Sequence, residues 1–282
     1  MKYYYLIAGL PNIEIEDNKL TFSISSFKEE IQPHLSPDDE QLINLFYTKF
    51  DNQNLLKFLK DKETHFDERG NLTKDEVSDG LKLLIEGDCP KNRNFPSFFH
   101  DFMEEYVETQ LADDEDVKKE NRLAELYYQW AMNCKNKFIA RWFEFNLNLN
   151  NLLSAYASRK HQLNVEVLGD NEIAESLKTS SQRDFGLAGT VDDLDVFQRL
   201  ADEPDMFERE KKIDLLRWQW LEEQAVFEYF GIERIFVYLV QLEIIERWVS
   251  LNPEQGEKIF RELINALKEN VVSQKSSIEN KK

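Results

Sequence analysis

Glycine and proline are scarce in this chain, 9 and 7 among 282 residues. Neither occurs between Pro96 and Gly169. A β-sandwich or barrel needs turn residues about every 8–12 positions, so that gap excludes such folds over a quarter of the chain. Cysteine is rarer still. Cys89 and Cys134 stand far apart, which gives neither a disulfide framework nor the paired spacing of a zinc site, and both are expected to be reduced, packed thiols. Long apolar runs are missing too. A membrane-spanning helix needs about 20 apolar residues, yet the greasiest run, Ile235–Val240, meets Gln241 at once and Glu243 soon after. The opening stretch Met1–Pro11 (MKYYYLIAGLP) lacks a small-x-small cleavage site, and its apolar part stops at Pro11. It is expected to be neither signal nor anchor but a short element, Tyr3–Leu10, tucked into a core. Positive charge is the last deficit. With 35 basic against 54 acidic residues the net charge is −19. Such a surface repels phosphate backbones, so nucleic acid is not an expected ligand, whereas basic protein partners are favoured. The expected location is the cytoplasm, without direct membrane insertion.

What fills the chain is helix-forming residues. Glu, Lys, Leu, Ala and Gln dominate the long gap, and 41% hydrophobic residues with 12% aromatics can build a bulky core. The expected fold class is all-α, with a short extended segment near the N-terminus where Lys19–Ser25 alternates polar and apolar residues. Ser36-Pro37-Asp38-Asp39 is a strong helix start. Asp51 is read as the beginning of a second helix. Phe98, Phe99, Phe102, Met103 and Tyr106 have helical spacing. From Val117 to about His161 the pattern fits one very long helix or two that meet near Asn146–Asn151. Residues 164–190 are mixed and expected to be the loosest part. Ile213–Phe230 reads as an aromatic-rich helix broken by Gly231. Ile232–Leu251 is apolar nearly all round, as for a helix in the middle of a bundle, with Glu243 and Arg247 spaced for an i,i+4 ion pair. A last amphipathic helix follows Gly256, and a frayed tail begins at Ser273. Two lobes are expected, 1–112 and 113–282, the second with long central helices.

Several motifs fail on inspection. Gly70–Glu76 resembles half of a calcium-binding loop, but His65 and Arg69 would fall at ligand positions that require oxygen, so a turn before a helix capped by Thr73 is the better reading. Asp184-Phe185-Gly186 stands without the other kinase sequences. The four histidines are scattered, with no ligand spacing. No nucleophile elbow, phosphate loop or dinucleotide fingerprint occurs. The chain is therefore expected to be no enzyme, with no catalytic, cofactor or metal site.

One pattern remains. Asp51-Asn52-Gln53-Asn54-Leu55-Leu56 recurs as Asn148-Leu149-Asn150-Asn151-Leu152-Leu153. Each opens an apolar helical face that ends in a basic residue, Lys62 or Arg159. Asp51 and Asn148 read as helix caps. Coincidence, shared capping chemistry and internal duplication each account for the repeat.

FDNQNLLKFLKDK (50–62) and LNLNNLLSAYASRK (147–160) resemble the Asp-x-x-Asn-Leu-x-x-Leu-Leu-Arg segment that recurs in the funnel-shaped central-stalk subunit of V/A-type ATPases. YLVQLEIIERW (238–248) is similar to the closing helix of those proteins. YYYLIAGLP and residues 207–248 resemble more closely a bacterial family of unassigned function, whose members are encoded beside V-type ATPase genes in some bacteria. The resemblance implies an elongated, multi-lobed helical bundle and a non-catalytic subunit that couples the rotor shaft to the membrane ring. Its implied partners are those shaft and ring subunits, and its implied location is peripheral to the inner membrane through them. Asp51, Asn54, Asn148, Asn151, Glu243 and Arg247 match motif positions, with structural roles as caps and an ion pair. The alternative is a cytoplasmic helical adaptor or assembly factor that is not part of the rotor.

Overall fold

Helix starts follow the local chemistry. Asn136 accepts from the amides of Phe138 and Ile139 at 3.0 and 3.1 Å, and Thr73 and Glu76 form a reciprocal capping box. The computed structural model describes residues 2–13, 22–88, 90–92, 94–108, 116–163, 165–191 and 194–251. In chain order they contain α1 (Tyr4–Gly9), α2 (Ile24–Glu30), a 3₁₀ turn (Gln32–His34), α3 (Pro37–Lys60), α4 (Lys74–Ile85), α5 (Phe98–Glu108) and α6 (Asp116–Met132). Then come α7 (Lys137–His161), α8 (Glu172–Thr179), α9 (Leu194–Asp202), α10 (Met206–Gln224) and α11 (Ile232–Leu251). The protein is all-α, with no strand among the described residues.

The helices fall into two units, and their limits differ from a cut at 112/113. Residues 37–202 form one. Within it α3 and α5 pack on α6, α6 on α7, and α7 on α8 and α9. Tyr127 ties α6 to α3 within this unit: its hydroxyl donates to the Leu45 carbonyl at 2.7 Å. Its ring also meets Phe143 edge-on at 5.5 Å. The other unit joins α1 and α2 to α10 and α11, elements from opposite ends of the chain. There α11 packs on α2 and α10. Glu246 of α11 accepts from the Ile24 amide at 2.8 Å, a first-turn donor that α2 cannot satisfy internally. As expected, α11 is buried nearly all round, from Ile235 through Leu242 and again at Ile244, Ile245 and Trp248. Each such large apolar side chain contributes about 1.5–3 kcal/mol by leaving water.

Other expectations need correction. Ile24 and Ser25 are helical, in α2, because Ser23 caps the Ser26 amide at 3.0 Å. Residues 19–21 of the expected extended segment lie outside the described residues, as do Cys89, the helix after Gly256 and the tail. Tyr3–Leu10 does form a short element, but Tyr3 is its one buried residue and Tyr5 is 96% exposed. The helix around Asp51 is continuous with the one from Pro37. The long pattern after Val117 is broken at Asn133–Asn136, where Asn136 supplies the cap, and runs unbroken through Asn146–Asn151. Residues 165–191 are fastened at several points described below, and α10 stops at Gln224 rather than continuing to Gly231.

Candidate functional site

The two copies of the repeat lie in the middles of α3 and α7, and neither copy caps a helix. Asn54 is fully buried. Its carboxamide donates to the Asp67 carbonyl at 3.0 Å and accepts from the Asp67 amide at 2.8 Å. One side chain thus saturates both backbone groups of a loop residue, as a neighbouring strand would. Three residues earlier, Asp51 is also fully buried. It accepts from the Leu72 amide at 3.0 Å and the Asn71 side chain at 2.9 Å. A helix-interior carboxylate buried without partners would cost several kcal/mol; here two N–H donors occupy it.

Around α7 the pattern returns. Asn151 donates to the Leu168 carbonyl at 2.8 Å and accepts from its amide at 2.9 Å. Asn148 accepts from the Asn171 side chain at 2.8 Å, and Asn171 caps α8 through the Ala174 amide at 2.8 Å. In both modules a long helix clamps the loop that follows it, and a short capped helix, α4 or α8, emerges from the clamp. Asp51 and Asn148 have the acceptor chemistry of helix caps, but they sit in helix interiors and direct that chemistry to a distant loop instead.

The loops are built to come this close. A Cβ on Gly70 would lie 2.5 Å from Asp51 Oδ1 and 3.2 Å from Asn54 Nδ2, so only glycine lets the backbone reach both clamp residues. Gly169, beside Leu168, has φ +80°, in the region that favours glycine. Its amide donates to Glu125 Oε1 at 3.0 Å and its carbonyl accepts from Lys178 at 2.6 Å. Asp67 is held in turn by Arg69, at 2.6 Å, and the guanidinium sits 4.2 Å above the Phe50 ring. The Arg69 hydrogen bond keeps the Asp67 carboxyl below its ordinary range.

The basic residues that end the two repeats diverge. Lys62 is exposed. Arg159 donates to the carbonyls of Ser180 (2.5 Å) and Gln182, and it covers the Phe185 ring at 3.4 Å. Phe185 is buried against Tyr156 and has φ +57°. Asp184-Phe185-Gly186 is therefore a plugged turn, in which Asp184 accepts from the Gly186 amide at 3.0 Å.

Arg247 reaches across to the neighbouring helix. It pairs with Asp214 and, at 3.9 Å, with Glu210, both on α10. Asp214 is 1% exposed and also accepts from Trp248 Nε1 at 2.8 Å and Arg217 at 3.1 Å. Glu243 is half-buried on α11. Sequence spacing could not anticipate Asp214, one acid in a charged stretch until α10 and α11 pack.

A cavity of about 380 Å³ adjoins the first clamp. Asn44, Thr48, Asn71 and Asn94 line one part and Phe95 and Trp130 another. Asn71 belongs to both features, since its side chain also donates to the Asn44 carbonyl at 3.0 Å. Cys134 is at the cavity wall, and burial pushes its thiol up, away from the reactive thiolate. Among the described residues no group of three or more His, Cys, Asp or Glu could hold a metal ion.

The residues that sequence reasoning missed are those on the loops, Asp67, Gly70, Leu168 and Asn171. A signal was present: in each module a glycine precedes an asparagine by one or two positions, just ahead of a helix start.

No curated protein and no solved structure matches this chain. Residues 1–271 match the model of a family described as "Protein of unknown function (DUF2764)", and with nearly its whole length covered the chain belongs to that family.

Proposed function

We propose that the protein is a non-catalytic subunit of a V/A-type ATPase that couples the rotor shaft to the membrane ring, held at the membrane through protein partners. The observation that carries this reading is the duplicated clamp. The Asp/Asn-x-x-Asn-Leu-Leu motif, which resembles the recurrent segment of the funnel-shaped central-stalk protein, occupies the same place in two modules and performs the same task in both. Duplicated use makes shared ancestry of the modules the simpler account, and repetition of this motif is the hallmark the resemblance rests on. The physics suits a mechanical part. A part that transmits torque must resist bending at its helix–loop–helix corners, and a bidentate buried amide helps to lock such a corner.

Attachment through partners also agrees with the helices themselves, since no helix among the described residues is long and apolar enough to cross a membrane. The test is native co-purification of the tagged protein from detergent-solubilised membranes, with partners identified by mass spectrometry. Recovery of shaft and ring subunits is the expected result. Recovery of the intact, folded protein without any ATPase component overturns the proposal and moves the adaptor or assembly-factor reading to first place.

A further inference from the structure

Between α10 and α11 the chain turns through residues 225–231, and the turn faces its aromatics outward. Phe227 is 84% exposed, Tyr229 62% and Phe230 41%. Ala225 and Ile232 at its two ends are buried, so the turn is anchored while its large side chains are left in water. Next to it lies α1. The Tyr3 amide donates to the Phe230 carbonyl at 2.7 Å, the Tyr4 and Phe230 rings meet at 4.5 Å, and Tyr229 follows at 6.3 Å from Phe230. Tyr5, next to Tyr4 in α1, is the most exposed aromatic of that helix. Scattered exposed apolar residues are ordinary, but contiguous aromatics on a protein surface mark an interaction site.

The edge of this patch is acidic. Glu223 precedes the turn and is exposed. The carboxylates of Glu228 and Glu233 both lie against Gly231, where a side chain would collide with Glu233. Nearby Arg234 is engaged with Glu222 at 3.7 Å, while Lys2 sits 5.9 Å over the Tyr4 ring.

We infer that Tyr4, Tyr5, Phe227, Tyr229 and Phe230, edged by Glu223, Glu228 and Glu233, form a docking surface for a basic amphipathic helix of a partner protein. Aromatic side chains are the usual anchors of protein interfaces, and their faces attract ammonium and guanidinium groups. The acidic edge and the net charge of −19 select a partner of opposite sign. The same charge disfavours the two other occupants of an aromatic patch. A second copy would bring acid against acid, and an anionic bilayer would repel the surface. The inference stands whether or not the protein serves an ATPase.

The test uses the full chain and a synthetic amphipathic helix of Leu and Lys, with affinity measured by calorimetry. A helix with Glu in place of each Lys is the first control. The decisive variant is Phe227→Ser with Tyr229→Ser, which leaves net charge unchanged. The expected result is binding of the Leu/Lys helix that weakens at least about tenfold in the variant, weakens with added salt, and is absent for the Leu/Glu helix. Equal affinity of wild type and variant would mean mere attraction to an acidic protein and overturns the inference. So does equal binding of the Leu/Glu helix. Patch-dependent co-sedimentation with phosphatidylglycerol vesicles would name lipid as the occupant, and patch-dependent dimerisation in sedimentation velocity would name a second copy; either overturns it. If the double variant loses its helical circular dichroism, Tyr5→Ser at the 96% exposed position replaces it.

Discussion

Replacing Asn54 by alanine removes both arms of the first clamp. The lost partners are the Asp67 amide and carbonyl, bonded at 2.8 and 3.0 Å. A hydrogen bond contributes about 0.5–1.5 kcal/mol net, and a buried group left unsatisfied costs about 1–3 kcal/mol. Asn54 is fully buried but Asp67 is only partly so, so water can rescue one orphaned group more readily than both. The expected loss is about 2–4 kcal/mol, which for a chain of this size lowers Tm by about 2–4 °C per kcal/mol. Urea unfolding followed by circular dichroism at about 222 nm measures it, with the midpoint shifting and the slope unchanged. Asn54→Asp is the near-isosteric companion. It keeps an acceptor for the Asp67 amide and sets a second oxygen against the Asp67 carbonyl, so it is expected to be destabilised as well, although its packing is intact. A loss below about 1 kcal/mol in both variants would refute the view that this amide holds the loop, and with it the mechanical reading of the repeat.

Gly70→Ala places a methyl carbon 2.5 Å from Asp51 Oδ1, so the carboxylate must shift off the Leu72 amide. The expected loss is about 1–3 kcal/mol, readable in the same urea titration, and an unchanged midpoint would show that the loop yields freely. Asp214→Ala leaves the buried Trp248 Nε1 without its acceptor and the partly exposed Arg247 without its nearest carboxylate, and is expected to cost about 1–3 kcal/mol. Lys60→Ala, which removes an exposed, solvent-screened pair with Asp116, should by contrast leave the urea midpoint unchanged. Tyr238 is buried between Phe22 and Phe27 with no partner for its hydroxyl, and burial pushes its pKa up to about 12 from 10.0. Its folded state therefore holds the proton more tightly than the unfolded state. The stability it contributes is whole below pH 10 and is lost as pH rises toward 12. Tyr238→Phe should flatten that alkaline decline and add about 1 kcal/mol at neutral pH by removing an unsatisfied hydroxyl. An unchanged alkaline unfolding profile would place the decline in other groups.

Much of this fold was legible one helix at a time. The scarcity of glycine and proline excluded a β-fold, Pro37 and the Thr73–Glu76 box set helix starts, and the all-round apolar pattern of Ile232–Leu251 foretold its burial. Each of these rests on forces acting within a turn or two of the chain, which composition and spacing record directly. The repeat itself was also visible, as two identical spacings of Asp or Asn, Asn and two leucines. Its role was not visible. Asp51 and Asn148 offer the same oxygen acceptors to their own helix's amides or to a loop some twenty residues ahead. Which amides they meet depends on how the loop folds back, a matter of long-range packing and of the missing Cβ at Gly70. The same holds for Arg247. The i,i+4 rule names only Glu243 as its partner, and the buried carboxylate of Asp214 comes within reach only when α10 packs on α11. The discontinuous unit that joins both ends of the chain was equally hidden, because no local property of α1 or α2 names α11 as a neighbour. Sequence determined which segments are helical and which faces are apolar; tertiary structure alone decided which polar side chains became clamps, because a buried hydrogen bond is chosen by geometry among chemically equivalent partners.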